Sequence, residues 1–245
     1  MNLTFEDVRY SYRRRDRPVL DGLRLSIPAG RTILLGPNGA GKSTLLAIAA
    51  SVLPLGEGRG RVAVDGVTPD RRGSRVRFRR RVAWMPQTVT PAAGVTVRQQ
   101  VALHGWLAGM PRTAAWTEAR RALVQVGLEQ LADARSTRLS GGQRARMGLA
   151  QALVHAADVL LLDEPTAALD PDQKEAFVSL LARVSGDKVV VVSSHDVSDL
   201  EASYDRVVVL EEGQVRFEGP TAAFLRNGAE TRRPVDAYRA VLRRS

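Results

Sequence analysis

Apolar and polar residues alternate at the start of this chain, with Leu3, Phe5, Leu23, Leu25 and Ile27 on the apolar beat. Period-two alternation places apolar side chains on one face of a strand, so half-buried strands are predicted on either side of a polar loop. Pro28-Ala29-Gly30 reads as a turn, 32–35 as a short apolar strand, 36–41 as a glycine-rich loop and 42–51 as a helix. Arg61–Val64 and Val82–Met85 read as further strands flanking a basic helical stretch at 74–81. From about residue 95 to 156 the period lengthens. Val97, Val101, Leu103, Trp106 and Leu107 have helical spacing, as do Ala119, Leu123, Val126 and Leu128 around the stop at Gly127. Strand patterns return at 159–162, 189–192 and 207–210, with helical stretches between them. A Glu211-Glu212-Gly213 turn and a strand at 215–217 follow. Strands alternating with helices imply a mainly parallel sheet, here interrupted by a helical insert. The last twenty residues carry Arg232, Arg233, Arg239, Arg243 and Arg244 and read as an exposed helix or a frayed tail.

Composition narrows the setting more than the function. The chain has 245 residues, 44% hydrophobic and 25% charged, ordinary for one sizeable α/β domain. No apolar run approaches the roughly 18 residues of a membrane-spanning helix, and the N-terminus lacks a basic-then-apolar leader pattern. The absence of cysteine excludes disulfides and thiolate metal sites, so a cytoplasmic protein is expected. The net charge of +10 suits nucleic acid, anionic lipid or an acidic partner. Of the 36 basic residues, however, only Lys42, Lys174 and Lys188 are lysines, a bias better explained by a GC-rich genome than by a selected surface.

Three stretches carry chemistry. Gly36-Pro37-Asn38-Gly39-Ala40-Gly41-Lys42-Ser43 fits G-x-x-x-x-G-K-[ST] between an apolar strand and a helix. There backbone N–H groups and the helix N-terminus cradle phosphates, Lys42 reaches the β- and γ-phosphates, and the Ser43 hydroxyl ligates Mg²⁺. Lys42 is expected to be a binding group outside the core. Asp158-Val159-Leu160-Leu161-Leu162-Asp163-Glu164 is an apolar strand delivering two carboxylates at its C-terminal end, where ligand sites of parallel sheets lie. Asp163 suits the Mg²⁺ shell and Glu164 the attacking water. Leu139-Ser140-Gly141-Gly142-Gln143 precedes an apolar-periodic helix and makes a second phosphate-binding helix start.

With these motifs in this order, residues 1–225 resemble the ABC (ATP-binding cassette) ATPase family. The resemblance implies a P-loop NTPase (RecA-like) α/β core with an N-terminal antiparallel β subdomain and an inserted α-helical subdomain. The core would span 1–90 and 157–225, the insert 91–156, and a basic tail 226–245. It implies ATP with Mg²⁺, held by Gly36 through Ser43 and by Thr44. Tyr12 would stack on adenine, with Tyr10 as its competitor, and Gln87 would touch the metal beside Ser43 and Asp163. Glu164, His195 and Lys42 would be catalytic, His195 by contacting the γ-phosphate. Ser140, Gly141, Gly142, Gln143 and Asp170 (in the loop Ala167-Ala168-Leu169-Asp170) would act in trans on the site of a second subunit. One chain holds one copy of each half, so it must pair head to tail with another copy or a related subunit; a homodimer is the expectation. His104 and His155 match nothing in the family and are read as structural or surface groups.

The resemblance further implies work for a transmembrane permease, as a cytoplasmic subunit peripheral on the inner face of the membrane. Arg146-Met147-Gly148-Leu149-Ala150-Gln151-Ala152-Leu153, the Ser193-Ser194-His195 triplet and the short end after 225 resemble stand-alone bacterial export ATPases. Export is therefore the expectation and import the alternative. A nucleic-acid or ribosome ATPase is the other class, and no nucleic acid is expected, because the interval from Gly36 to Leu139 is too short for the long coiled coil of the chromosome members. A degenerate scaffold fails because Lys42, Asp163, Glu164 and His195 are all present. The segment 88–101 is expected to dock the membrane subunit.

Overall fold

The computed structural model describes residues 1–13, 17–56, 58–70, 72–202, 204–228 and 233–243. The chain opens with β1 (Asn2–Tyr10), β2 (Leu20–Pro28), β3 (Gly30–Leu35) and helix α1 (Lys42–Ala49). Then come β4 (Arg61–Val64), α2 (Arg72–Arg81) and β5 (Val82–Met85). Helices α3 (Val97–Leu107), α4 (Arg112–Gln125) and α5 (Gly141–Leu153) follow. The chain continues through β6 (Val159–Asp163), α6 (Pro171–Ser185), β7 (Val189–Ser194), β8 (Arg206–Glu211) and β9 (Gln214–Pro220). It closes with α7 (Thr221–Arg226) and α8 (Pro234–Arg243).

Among the described residues the strands form two sheets. One is antiparallel, in the order β2-β1-β4; the other runs β5-β6-β7-β3-β8-β9, parallel except for β9. The alternation that predicted the first strands places Leu3, Phe5, Leu23, Leu25 and Ile27 in one buried cluster. Alternate residues of the parallel strands divide between two cores. Leu34, Leu161, Val191 and Val208 join the antiparallel sheet and α1. Ile33, Leu35, Leu160, Leu162, Val190 and Val209 join the helices of the opposite face. Strands covered on both faces read as unbroken apolar runs, which is why 159–162 and 189–192 show no alternation.

Helices alone occupy the interval from Val97 to Leu153. Thr96 opens α3 with a capping box, its hydroxyl accepting from Gln99 N–H while the Gln99 side chain accepts from Thr96 N–H. Met147, Leu149 and Ala150 of α5 pack with Val97, Val101, Ala119 and Leu123 of α3 and α4. This joins the helical segment to the face of the large sheet through Ala83 and Met85.

Of the two readings of 226–245, exposed helix or frayed tail, the described part takes the helix, but one of its faces is buried. Residues 234–243 form α8, whose Ala237 and Val241 are buried and whose Tyr238 and Leu242 pack against the main core. The apolar positions lie on one helical face, so burial of that face outweighs the arginines, which stay on the other. Arg232 and Arg244 lie outside the described residues.

Candidate functional site

The spatial order of the large sheet assembles the site. β3 lies between β7 and β8, and β6 lies on the far side of β7. The C-terminal ends of β3, β5, β6 and β7 therefore open on one edge, carrying the glycine-rich loop, Gln87, Asp163-Glu164 and Ser193-Ser194-His195. An open pocket of about 550 Å³ lies there, lined by Tyr12, residues 38–44, Gln87, Glu164 and His195 among others.

The loop geometry depends on glycine at two positions. A Cβ on Gly36 would stand 2.3 Å from the carbonyl oxygen of Leu210, a backbone atom that cannot step aside. Gly41, with φ of +101°, adopts a conformation that side-chain-bearing residues rarely reach and caps α1. The Lys42 side chain is folded into its own loop and is buried there, while belonging to neither apolar core. Its ammonium donates to the carbonyls of Gly36 at 2.7 Å and Pro37 at 3.1 Å. Burial lowers the Lys42 pKa, and the Glu164 and Asp163 carboxylates oppose that shift without cancelling it.

Glu164 is the hub. Its Oε1 lies 3.6 Å from the Lys42 ammonium. Its Oε2 accepts from Gln87 Nε2 at 3.2 Å and meets His195 Nδ1 at 3.0 Å. The residue sits at φ of +44°, an uncommon conformation for a residue with a side chain, of the sort that clusters at functional sites. Beside it, Asp163 accepts from the Ser43 hydroxyl at 3.1 Å. Among the described residues no group of three or more His, Asp or Glu could cage a metal alone. One hydroxyl and one carboxylate in contact is instead the donor set of a Mg²⁺ site completed by phosphates and water. Tyr12 is 63% exposed at the open end, its hydroxyl 2.9 Å from that of Thr44, with Tyr10 packed edge-on behind it. Of the two tyrosines, Tyr12 lines the pocket. His104 and His155 do not.

Ser140, Gly141, Gly142 and Gln143 do not line this pocket. Ser140 opens α5 with a second capping box, its hydroxyl accepting from Gln143 N–H and the Gln143 side chain from Ser140 N–H. Ser140 and Gly141 are exposed, while Gly142 lies against the Gln173 side chain. Asp170 caps α6 and is likewise outside the pocket. The capped start of α5 thus lies outside the pocket that the glycine-rich loop lines.

Sequence reasoning missed one positioning group. Ser193 faces Asp163 across the β6–β7 pairing. Its hydroxyl donates to Asp163 Oδ1 at 2.7 Å and accepts from Glu164 N–H at 2.9 Å. A serine at a strand end is too common to stand out, and only the adjacency of β6 and β7 gives it meaning. Ser193→Ala leaves a buried carboxylate oxygen and an N–H short of partners. It is expected to cost about 1–3 kcal/mol in urea unfolding and to lower ATP turnover. Wild-type stability and turnover would contradict that placement.

A parallel sheet with a glycine-rich loop before α1 and paired carboxylates on a nearby strand defines a P-loop nucleotide hydrolase. The sequence pattern of the ABC transporter family matches residues 20–167, and the chain belongs to that family. It is an ATP-binding subunit of the ABC transporter type and an ATPase. The nickel import ATP-binding protein NikO of Rhodobacter capsulatus is 37% identical over 241 residues, spanning 93% of this chain and 92% of its own. The hemin import ATP-binding protein HmuV of Nocardia farcinica is 39% identical over 228 residues, spanning 88% and 75%. A dimeric ATP-binding cassette solved in a post-hydrolysis state with ADP and Pi superposes with a TM-score of 0.77 at 27% identity, over 89% of this chain and 98% of that one.

Proposed function

We propose that this chain binds Mg-ATP at the Tyr12–Lys42–Glu164–His195 edge and hydrolyses it in a head-to-tail homodimer that drives uptake through a transmembrane permease. The convergence of Lys42, Gln87 and His195 on the Glu164 carboxylate carries the catalytic part of the reading. Glu164 takes the proton of the attacking water, and Gln87 and His195 fix the direction of Oε2. Lys42 and the loop N–H groups hold the β- and γ-phosphates, and Tyr12 supports the adenine face. Ser43 and Asp163, with Gln87 nearby, hold Mg²⁺, which neutralises phosphate charge. Ser140, Gly141, Gly142 and Gln143, with Asp170, complete the site of the second copy, because they cannot reach the pocket of their own chain.

We favour import over the expected export, because import proteins prevail among the similar proteins, although a Nod factor export ATP-binding protein of Burkholderia lata is also 37% identical. NikO and HmuV are import ATPases by name. The Ser193-Ser194-His195 triplet that suggested export is occupied locally, Ser193 with Asp163 and Ser194 with Asp199, so it is silent on direction. The chain would work at the inner face of the membrane as a peripheral subunit. Among the described residues no helix is long and apolar enough to cross a membrane. Proteoliposomes holding the permease and this chain distinguish the directions. Uptake predicts that ATP consumption rises when transported solute is supplied on the side opposite the ATPase. Stimulation only from the ATPase side would restore export.

Within the chain, we assign 91–156 as the unit that moves against the core formed by 1–90 and 157–225. The loop between Gln87 and α3 is gathered by the helical segment. Gln100 Nε2 donates to Thr90 O at 3.0 Å and Gln100 Oε1 accepts from Ala92 N–H at 2.9 Å, while the Ser136 hydroxyl donates to Ala92 O at 2.9 Å. A change at Gln87 therefore passes directly into α3. The segment 88–101 is expected to gain hydrogen-exchange protection when the permease binds. Protection confined to 36–44 would contradict this coupling surface.

A further inference from the structure

Lys174 is one of only three lysines among 36 basic residues, and it touches neither the pocket nor an exposed carboxylate pair of its own helix. It stands in the first turn of α6, its N–H bonded to the Asp170 carbonyl at 2.9 Å. Its ammonium contacts Asp199 and lies 3.7 Å from Asp196. Burial pulls the Lys174 pKa down, but Asp199 and then Asp196 outweigh it and hold the pKa above its ordinary value, so the ammonium is charged. The two carboxylates bracket the histidine loop. Asp199, itself largely buried, accepts from the Ser194 hydroxyl, and that hydroxyl accepts from Asp196 N–H at 2.9 Å. Ser194 and Asp196 are the immediate neighbours of His195, whose Nδ1 reaches Glu164. From Glu164 the chain returns through a turn, Ala167 N–H to Glu164 O at 3.2 Å, to the Asp170 cap of α6. The contacts close a ring: Glu164, the 165–170 loop, Lys174, Asp199, Ser194, His195 and Glu164 again.

We infer that Lys174 is a positioning residue, which through Asp199 and Asp196 sets the loop that aims His195 at Glu164. The inference rests on the catalytic reading of Glu164 and His195. The His195 side chain is about half exposed, and among the described residues its ring bonds to the Glu164 side chain, so its aim depends on its backbone. A compact ammonium with three donors serves two carboxylates at once, which fits lysine at this position in a chain whose basic residues are nearly all arginine. Without it, a buried Asp199 and a nearby Asp196 face each other unscreened, and the loop relaxes. The same ring links α6, whose cap Asp170 belongs to the loop proposed to face the second subunit, to the group at the γ-phosphate.

The test uses the full chain with Lys174→Met, Lys174→Arg and His195→Ala, measuring steady-state ATPase kinetics and histidine ring NMR resonances. The chain has three histidines, so His195→Ala assigns its resonance directly. Lys174→Met is expected to lower kcat about tenfold, short of the hundredfold that a full 1 Å misplacement can cost, with KM changed less than about twofold. It should shift the His195 resonance and leave those of His104 and His155 in place, and Lys174→Arg should recover part of both effects. Unchanged kcat, or a lower kcat with an unmoved His195 resonance, would overturn the inference. If Lys174→Met does not fold, Asp196→Asn weakens the same ion pair from an exposed position and must move the same resonance. Failure of the underlying reading looks different: His195→Ala would then keep wild-type turnover, whatever Lys174→Met does to the resonance.

Discussion

Glu164→Gln is expected to lower ATP turnover by about 10²–10⁴-fold, the usual contribution of a positioned general base. The amide keeps the shape of the side chain but cannot take a proton from water at neutral pH. Binding should survive, because the groups expected to touch phosphate are Lys42, Ser43 and the loop N–H groups rather than Glu164. Affinity should even rise. Glu164 lies 3.6 Å from the Lys42 ammonium, and removing its charge leaves that cation to the incoming phosphates. The same loss leaves a buried lysine without its carboxylate, so the nucleotide-free variant should melt earlier than wild type and recover with Mg-ATP. Equilibrium binding, single-turnover hydrolysis and thermal melts check the three parts. Near-normal turnover would remove Glu164 from the mechanism.

Lys42→Ala is expected to lower turnover by about 10²–10³-fold, the loss seen when one preorganised charge-stabilising donor is removed. ATP affinity should fall with it, which separates this variant from Glu164→Gln. The buried position of Lys42 adds a structural cost that the sequence does not suggest. The ammonium ties the Gly36 and Pro37 carbonyls together and neutralises Glu164, and both side chains are buried. The fold should persist, because Lys42 belongs to neither apolar core, although Ala40 of the same loop packs into one of them. The loop itself should loosen, with faster hydrogen exchange over 36–44. Unimpaired turnover would sink the assignment of the phosphate site.

The elements were legible where local pattern decides them. Apolar runs at 159–162 and 189–192 announced fully covered strands, and G-x-x-x-x-G-K-[ST] fixed the loop between β3 and α1. What local pattern cannot supply is which strands are neighbours. β7 separates β3 from β6, an arrangement set by how the crossover helices pack. The partnership of Ser193 with Asp163 and Glu164, and that of Lys174 with Asp199, follow from it. In the sequence Tyr10 competes with the preferred Tyr12, and it is the turn after β1 that exposes Tyr12 beside Thr44. The C-terminal helix was obscured for another reason. Its arginines dominate the composition, whereas the small face formed by Ala237 and Val241 decides that it packs.

The central claim is that two copies share each ATP, with Lys42 on one side and Ser140 on the other. The chain contains no cysteine, so a single engineered pair reports on that arrangement without background. Asn38→Cys and Ser140→Cys in the Glu164→Gln chain place one thiol in the glycine-rich loop and the other at the start of α5. Mild oxidation with saturating Mg-ATP is predicted to yield a covalent dimer retaining two ATP, with little cross-link when nucleotide is left out. A protein that stays monomeric and uncross-linked under saturating Mg-ATP would contradict the shared site.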